Sequence, residues 1–303
     1  MSTSSRGRDN SLGEFLKARR AEVTPDQVGL PAVGHPRRVK GLRREEVAQL
    51  AAISTEYYTR IEQGRLSGAS APVLAAIARA LRLDDAQTSY LYQLAEKPGA
   101  PARRPRRRTA PRVRPQTQLL LDNLTDTPAM VLGPSMSVLA WNSLAAALYT
   151  DFSALSPTER NLMRMAFLDP RMRELYTDWE DSARACVAYV RMDAATSPAD
   201  PDLQALVGEL SVHDDDFRRW WAAHDVAHKT FGTKRYHHPV AGDLTLDWQM
   251  LTCPHDPSQS IMVLTAPTAT PSHQALRFLA SWAARPPAAR PEHTTTTHPP
   301  HTP

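Results

Sequence analysis

Cysteine is scarce in this chain. Cys186 and Cys253 are the only two among 303 residues. They leave room for one disulfide, nothing else points to export, and both read as reduced thiols. Also missing is any uninterrupted apolar run near the ~20 residues that a membrane-spanning helix needs. The N-terminal MSTSSRGRDN has no apolar segment of the kind that opens a secretion signal, so a cytoplasmic location is expected, with no membrane partner. Glycine patterns that cradle phosphates or dinucleotides are absent, as is a nucleophile elbow. With no catalytic class nominated, the chain reads as a non-enzyme without cofactor or metal.

What is present is an ordinary globular balance, 42% apolar and 22% charged, over a length that accommodates two domains. The net charge of +4 hides a split. Residues 1–115 hold 22 Lys and Arg against 11 Asp and Glu, a balance of +11. The remainder holds 14 against 21, a balance of −7. A basic front joined to an acidic back points to a polyanionic partner for the front alone. The Pro- and Arg-rich stretch KPGAPARRPRRRTAPRVRPQ sets a linker over 97–115, and the Pro/Thr/His-rich end sets a tail over 281–303. Two compact regions remain, 10–96 and 116–280. The linker's seven arginines between 103 and 114 fit a plain spacer or a salt-dependent duplex contact equally well.

The first region reads as five helices. Ser11 is placed to cap the first, with Leu12, Phe15 and Leu16 on one face. After a Pro/Gly-containing loop, Val47, Leu50 and Ala51 have helical spacing. Ser54 is placed to cap a polar helix that stops at Gly64, Ser70-Pro72 open a fourth helix, and Asp84 caps a fifth. Two short helices with a tight turn between them, the second polar and stopped at glycine, make a helix-turn-helix. Ala48 is small where the second helix crosses, Tyr58 can bury its ring, and Tyr57 can offer its hydroxyl to a phosphate. The stretch LRREEVAQLAAISTEYYTRIEQGR resembles the phage-repressor-like XRE family of five-helix DNA-binding domains. The resemblance implies a recognition helix at Ser54–Gln63, with Thr55, Glu56, Thr59 and Arg60 reading bases and Arg43, Arg44 and Tyr57 facing phosphates. By donor–acceptor pattern, Arg60 suits guanine and Glu56 suits cytosine. Ala52 occupies a turn position that is often glycine. The long loop before the first helix of the motif adds Arg37, Arg38 and Lys40 as backbone contacts. A double-stranded operator read by a homodimer is the implied partner.

The second region is mixed. AMVLGPSMSVLAWN reads as two short strands about Gly133-Pro134. DLTLDWQMLT alternates Leu244, Leu246, Trp248 and Met250 on one face, and SIMVLTA follows to complete an antiparallel hairpin. Between these strand sets lie long helices, one opened by Asp169-Pro170 and carrying Met172, Leu175, Trp179, Cys186, Val187 and Val190 on one side, another opened by Asp200-Pro201. The class is α+β, helices inserted in an antiparallel sheet. DTPAMVLGPSMSVLAWNSLAAALYTDFSAL, NLMRMAFLDPRMRELYTDWEDSARACVAYVR and HHPVAGDLTLDWQMLTCPHDPSQSIMVLTA together resemble the MmyB-like ligand-binding domain. That implies a PAS-like fold and a small hydrophobic effector such as a fatty acid; a protein partner in place of a metabolite is the alternative. From the residues themselves, Trp141, Phe167, Trp179, Trp220 and Trp221 are candidates for a pocket wall, with Asn142 and His224 as polar groups to orient a carboxylate or carbonyl. HDVAH at 224–228 has two histidines at i, i+4, but Asp225 stands in the base position and no distinct third ligand is evident, so no metal site is expected.

Overall fold

A computed structural model of the chain describes residues 3–30, 39–65, 69–95, 112–196, 200–227, 230–254 and 256–284. Leu12, Phe15 and Leu16 recur at helical spacing and are buried on the inner side of helix α1 (Thr3–Glu22). The polar stretch ahead of them contains no proline to stop a helix, so α1 begins before Ser11, which lies inside it and not at its cap. Helices α2 (Arg44–Leu50), α3 (Thr55–Glu62), α4 (Ala71–Ala80) and α5 (Asp85–Ala95) complete a five-helix head. Phe15, Leu16, Val47, Tyr58, Ile61, Ile77 and Leu91 form its core. Leu50 and Ile53 are only half-buried. The caps expected at Ser54 and Asp84 form: the Ser54 hydroxyl accepts from the Tyr57 N–H at 3.1 Å, and the Asp84 carboxylate accepts from the Gln87 N–H at 2.8 Å.

Ala48, 1% exposed, is where α2 and α3 cross. The turn between them closes by Ile53 N–H donating to the Ala48 carbonyl at 3.0 Å, which requires a left-handed residue; Ala52 takes that conformation at φ 55°. An alanine there keeps its Cβ against the following carbonyl, a strain that glycine would not carry.

The second domain begins earlier than composition suggests. Val113 already packs on it, and α6 (Pro115–Asn123) lays Leu121 against one face of the sheet. The expected linker residues 97–111 lie outside the described residues. The sheet runs β2-β1-β5-β4-β3, antiparallel throughout: β1 (Ala129–Leu132), β2 (Val138–Trp141), β3 (Phe231–His238), β4 (Gly242–Thr252) and β5 (Ser260–Thr265). The sheet's other face carries the inserted helices α7 (Ser143–Leu148), α8 (Leu162–Leu168), α9 (Pro170–Leu175), α10 (Trp179–Thr196), α11 (Pro201–His213) and α12 (Asp215–Ala222). Leu244 and Leu246 point into that core, as the alternation of β4 requires. Helix α13 (Pro271–Ala283) closes the domain with Leu276 and Leu279, so residues 281–283 are its last turn and not tail.

The helix expected to run on from Asp169 is broken. Tyr176 leaves it to pair with Tyr236 across an isolated antiparallel bridge, and Thr177 N–H donates to the Arg235 carbonyl at 3.0 Å. Backbone pairing with β3 outcompetes helix continuation here. The half-buried Tyr176 and the buried Tyr149 then join Tyr236 in a trio in which the Tyr149 and Tyr236 hydroxyls lie 2.8 Å apart.

Replacing Ala52 with glycine should stabilise the head by about 0.5–1 kcal/mol, the left-handed strain removed less the extra freedom given to the unfolded chain. Denaturant unfolding of the two proteins measures it; a loss of stability would refute the strain.

Candidate functional site

The polar helix keeps its leading side chains in solvent. Thr55, Glu56 and Arg60 are exposed, Thr59 is half-exposed with its hydroxyl donating to the Thr55 carbonyl at 2.7 Å, and Tyr58 is buried beneath them. Tyr57 is half-buried against the head core. Arg43 and Lys40 are exposed beside this face. Arg37 and Arg38 lie outside the described residues. Gly64, at φ 64°, ends the helix, and Arg65 N–H donates back to the Arg60 carbonyl at 2.8 Å. This surface, with donors and acceptors leading and cations at its flanks, matches what a major groove and its phosphates offer.

One buried carboxylate holds that helix in place. The side chain of Glu62 is 1% exposed. It accepts from Arg20 twice, Nε and Nη2 each at 2.9 Å, and from Arg44 Nε at 2.9 Å. Arg20 also donates to the Leu42 carbonyl at 2.8 Å, tying in the loop before α2. Burial pushes the Glu62 carboxyl upward, but the two guanidiniums more than offset it and hold it below the usual glutamate range. Arg44 therefore differs from its expected role. Its guanidinium is committed to Glu62, and only its outer part is open to a phosphate. Neither Arg20 nor Glu62 stood out in the sequence, because a charge near a helix end looks the same whether it faces solvent or a partner.

The second domain contains an open cavity of about 660 Å³ between α10 and the sheet. Met136, Tyr189, Trp248, Met250 and Met262 supply apolar wall, and Ser182 and Cys186 line it from α10. Lys234 stands at its edge. Its ammonium lies 5.4 Å from the Tyr176 ring centre and 5.7 Å from that of Trp248, and it is joined to no carboxylate among the described residues. Neighbouring Arg235 is occupied by Asp178 at 2.6 Å. Asp178, engaged by Arg235, and Asp181 line its polar side, and the apolar wall with the Lys234 ammonium suits a molecule with an apolar body and an anionic end.

None of the seven residues expected to build a pocket lines this cavity, although Trp179 lines a smaller space that shares Ser182, Cys186 and Lys234 with it. Asn142 is 4% exposed and caps α7 while its amide holds the Leu124 and Thr127 carbonyls, each at 2.8 Å. Phe167 and Trp220 are core, packed edge-on to each other at 6.0 Å. Trp179 donates to the Ala166 carbonyl at 2.8 Å under the guanidinium of Arg173. Trp141 packs on Phe152, and Trp221 stacks on Phe217. Large rings fill volume, and these cement the helical layer; three flexible methionines line the space together with Tyr189 and Trp248.

His224 has another setting. Helix α12 ends at Ala222, and His224 turns out of it at φ 56°, so 224–227 is no helix; His228, the second histidine of that pattern, lies outside the described residues. The loop 223–227 meets the head. Arg19 of α1, 4% exposed, donates to the Ala223 carbonyl at 2.7 Å and to the Asp225 carboxylate at 3.0 Å, which Arg184 of α10 also holds at 2.9 Å. Arg191 lies over the Trp221 ring, donates to the Trp221 carbonyl and contacts His224 Nδ1 at 3.2 Å. Burial, with Arg191 and Arg19 nearby, pushes the His224 imidazole down to about 4, so it is neutral near pH 7. Among the described residues no group of three His, Cys, Asp or Glu is placed to hold a metal ion, and no helix is long and apolar enough to cross a membrane.

Comparison with known families agrees with both halves. A family model described as the MmyB-like transcription regulator ligand binding domain matches residues 113–279. One described as a helix-turn-helix domain matches residues 11–91. No curated protein matches the chain.

Glu62→Gln should cost the head roughly 3 kcal/mol, because it leaves two arginines facing a neutral amide. Since the Glu62 carboxyl is lowered by folding, its contribution is present above the ordinary glutamate range and lost as pH falls through its folded value. The gap in unfolding free energy between the two proteins should therefore shrink on acidification below about pH 4. A gap that stays constant with pH would contradict it.

Proposed function

We propose how this chain, which belongs to the transcription regulators with an MmyB-like ligand-binding domain, divides its work. It is a ligand-sensing regulator with a helix-turn-helix DNA-binding domain in front. In our reading the head is of the XRE kind and acts as one half of a homodimer in the cytoplasm. α3 lies in the major groove of a palindromic operator, with half-sites about one helical turn apart, ~34 Å. Thr55, Glu56, Thr59 and Arg60 face bases, and Arg43, Lys40 and Tyr57 face the backbone. The second domain, PAS-like in our reading, performs no chemistry. It holds a fatty-acid-like effector with the chain along Met136, Met250 and Met262 and the carboxylate at Lys234. The observation that carries the reading is the pairing of an outward-facing α3 with a 660 Å³ apolar cavity in the other domain.

Two measurements test it. Arg60→Ala should lose about 1–3 kcal/mol on the selected operator and relax preference at one base pair. Equal losses on operator and random DNA would remove Arg60 as a base reader. Decanoate should quench or shift Trp248 fluorescence, and Lys234→Met should weaken decanoate by about tenfold, the order expected of one charge-assisted bond, while leaving methyl decanoate unchanged. Equal binding of acid and ester to the unaltered protein would remove the carboxylate from the reading.

A further inference from the structure

Helix α10 has three working faces. Ala183, Val187 and Val190 point into the core of the second domain. Ser182, Ala185, Cys186 and Tyr189 form a second stripe, at i, i+3, i+4 and i+7, that lines the cavity. Arg184, Ala188, Arg191, Met192 and Ala195 form the third, roughly 130° round the helix from the cavity stripe at 3.6 residues per turn. Met192 and Ala195 of that stripe are buried within the head's own core cluster, and α10 packs on α5. The loop 223–227 repeats the arrangement in miniature. Asp225 grips Arg19 of the head, Val226 is buried in the head cluster, and Ala227 lines the cavity while its N–H donates to the Ala188 carbonyl of α10 at 3.3 Å.

We propose that α10 and the loop 223–227 are at once a wall of the cavity and the dock for the DNA-binding head, so that filling the cavity loosens the head from its dock. The proposal rests on the cavity being the effector site. Its mechanism is mechanical. The head is gripped at two places that must stay in register, the arginine and methionine stripe of α10 and the 223–227 loop. The single backbone bond Ala227 to Ala188 joins them beside the cavity. Arg19 is the bolt: it is nearly solvent-free, and its two partners in the second domain, the Ala223 carbonyl and the Asp225 carboxylate, both lie on the loop. Asp225 is fixed from the other side by Arg184 of α10. A molecule seated between α10 and the strands pushes the helix and presses on Ala227, so the two grips cannot both keep their geometry. Such a coupling needs only a few contacts to differ between the two states.

Cys186 offers a way to fill the cavity without knowing the effector. Octyl methanethiosulfonate attached to its thiol places an eight-carbon chain in the space, with Cys186→Ser as the unlabelled control. Hydrogen exchange of the full chain reads the dock. Labelling should speed exchange over 192–195 and 223–227 by about tenfold, as weakened docking exposes both segments together. Val226→Glu, which puts a charge into the head contact, should produce the same increase without any label and abolish a further response to labelling. Ala195→Lys serves the same purpose if Val226→Glu misfolds. Complete labelling with unchanged exchange in both segments would overturn the coupling while leaving the cavity as an effector site. A Cys186 that stays unreactive would mean a closed cavity and overturn the effector reading, and the coupling with it. Protection of 192–195 that survives both Val226→Glu and Ala195→Lys would remove the dock.

Discussion

The ionised carboxylate of Glu62 is the constraint on which the DNA-facing surface depends. Taking a carboxylate and a guanidinium out of water costs several kcal/mol per ion, recovered only where geometry is good and all polar atoms are used. Here Arg20 supplies a two-pronged fork from α1 and Arg44 a third bond from α2. Leucine at this place would hold α3 as firmly but without fixing its rotation, whereas a planar fork sets the angle at which the helix stands. The same residue is pinned through its backbone: a Cβ at Gly13 would come 2.2 Å from the Glu62 carbonyl oxygen, so α1 reaches this closeness only with glycine. Side chain and main chain of one residue thus decide where Thr55, Glu56 and Arg60 point.

In the second domain the division of labour runs by side-chain stiffness. Phe167 meets Phe217, Trp179 and Trp220 edge to face, and the tyrosine trio locks α7, the 176–178 break and β3 together. With that layer rigid, the cavity can be walled by Met136, Met250 and Met262, whose unbranched side chains adapt to what enters. Tyr189 and Trp248 share that wall as its stiffer part. The sheet's opposite face needs no such adaptability, and α6 covers part of it with Leu121 over Ala129, Val131 and Ala140.

The head was legible in the sequence because its signals are local. A serine cap, a small residue at the crossing, a turn and a glycine stop all fall within Leu42–Arg65, and each has one physical meaning in that order. The alternation of β4 and the proline-opened helices were legible for the same reason. What escaped was set by distance. The cavity joins Ser182, Cys186 and Tyr189 to strands that begin only at Phe231, far along the chain, and no spacing rule brings them together. The tryptophans and Phe167 drew attention by size, yet size is what a core uses first. Arg44 looked like a phosphate contact because Glu62, eighteen residues away, was not visible as its partner. The helix break at Tyr176 was hidden because pairing with β3 is a tertiary event.

The charge split of the chain acquires a geometry from the joint. Acidic Asp225 meets the head at Arg19, on the side of α1 and α5, while among the described residues no hydrogen bond or ion pair joins Thr55, Glu56 or Arg60 of α3 to the second domain. Attraction between the basic and acidic halves is therefore used away from the face that would meet DNA, so the sensor does not compete with phosphates for Arg43, Lys40 or Arg60. It follows that docking cannot work by masking α3. What it can set is the direction in which the head stands relative to the second domain. In the proposed dimer that direction fixes the separation of two recognition helices, a quantity the pitch of the duplex leaves little room to vary. A modest displacement of α10 would then suffice to move the pair in or out of step with an operator, without altering a single base contact in either head.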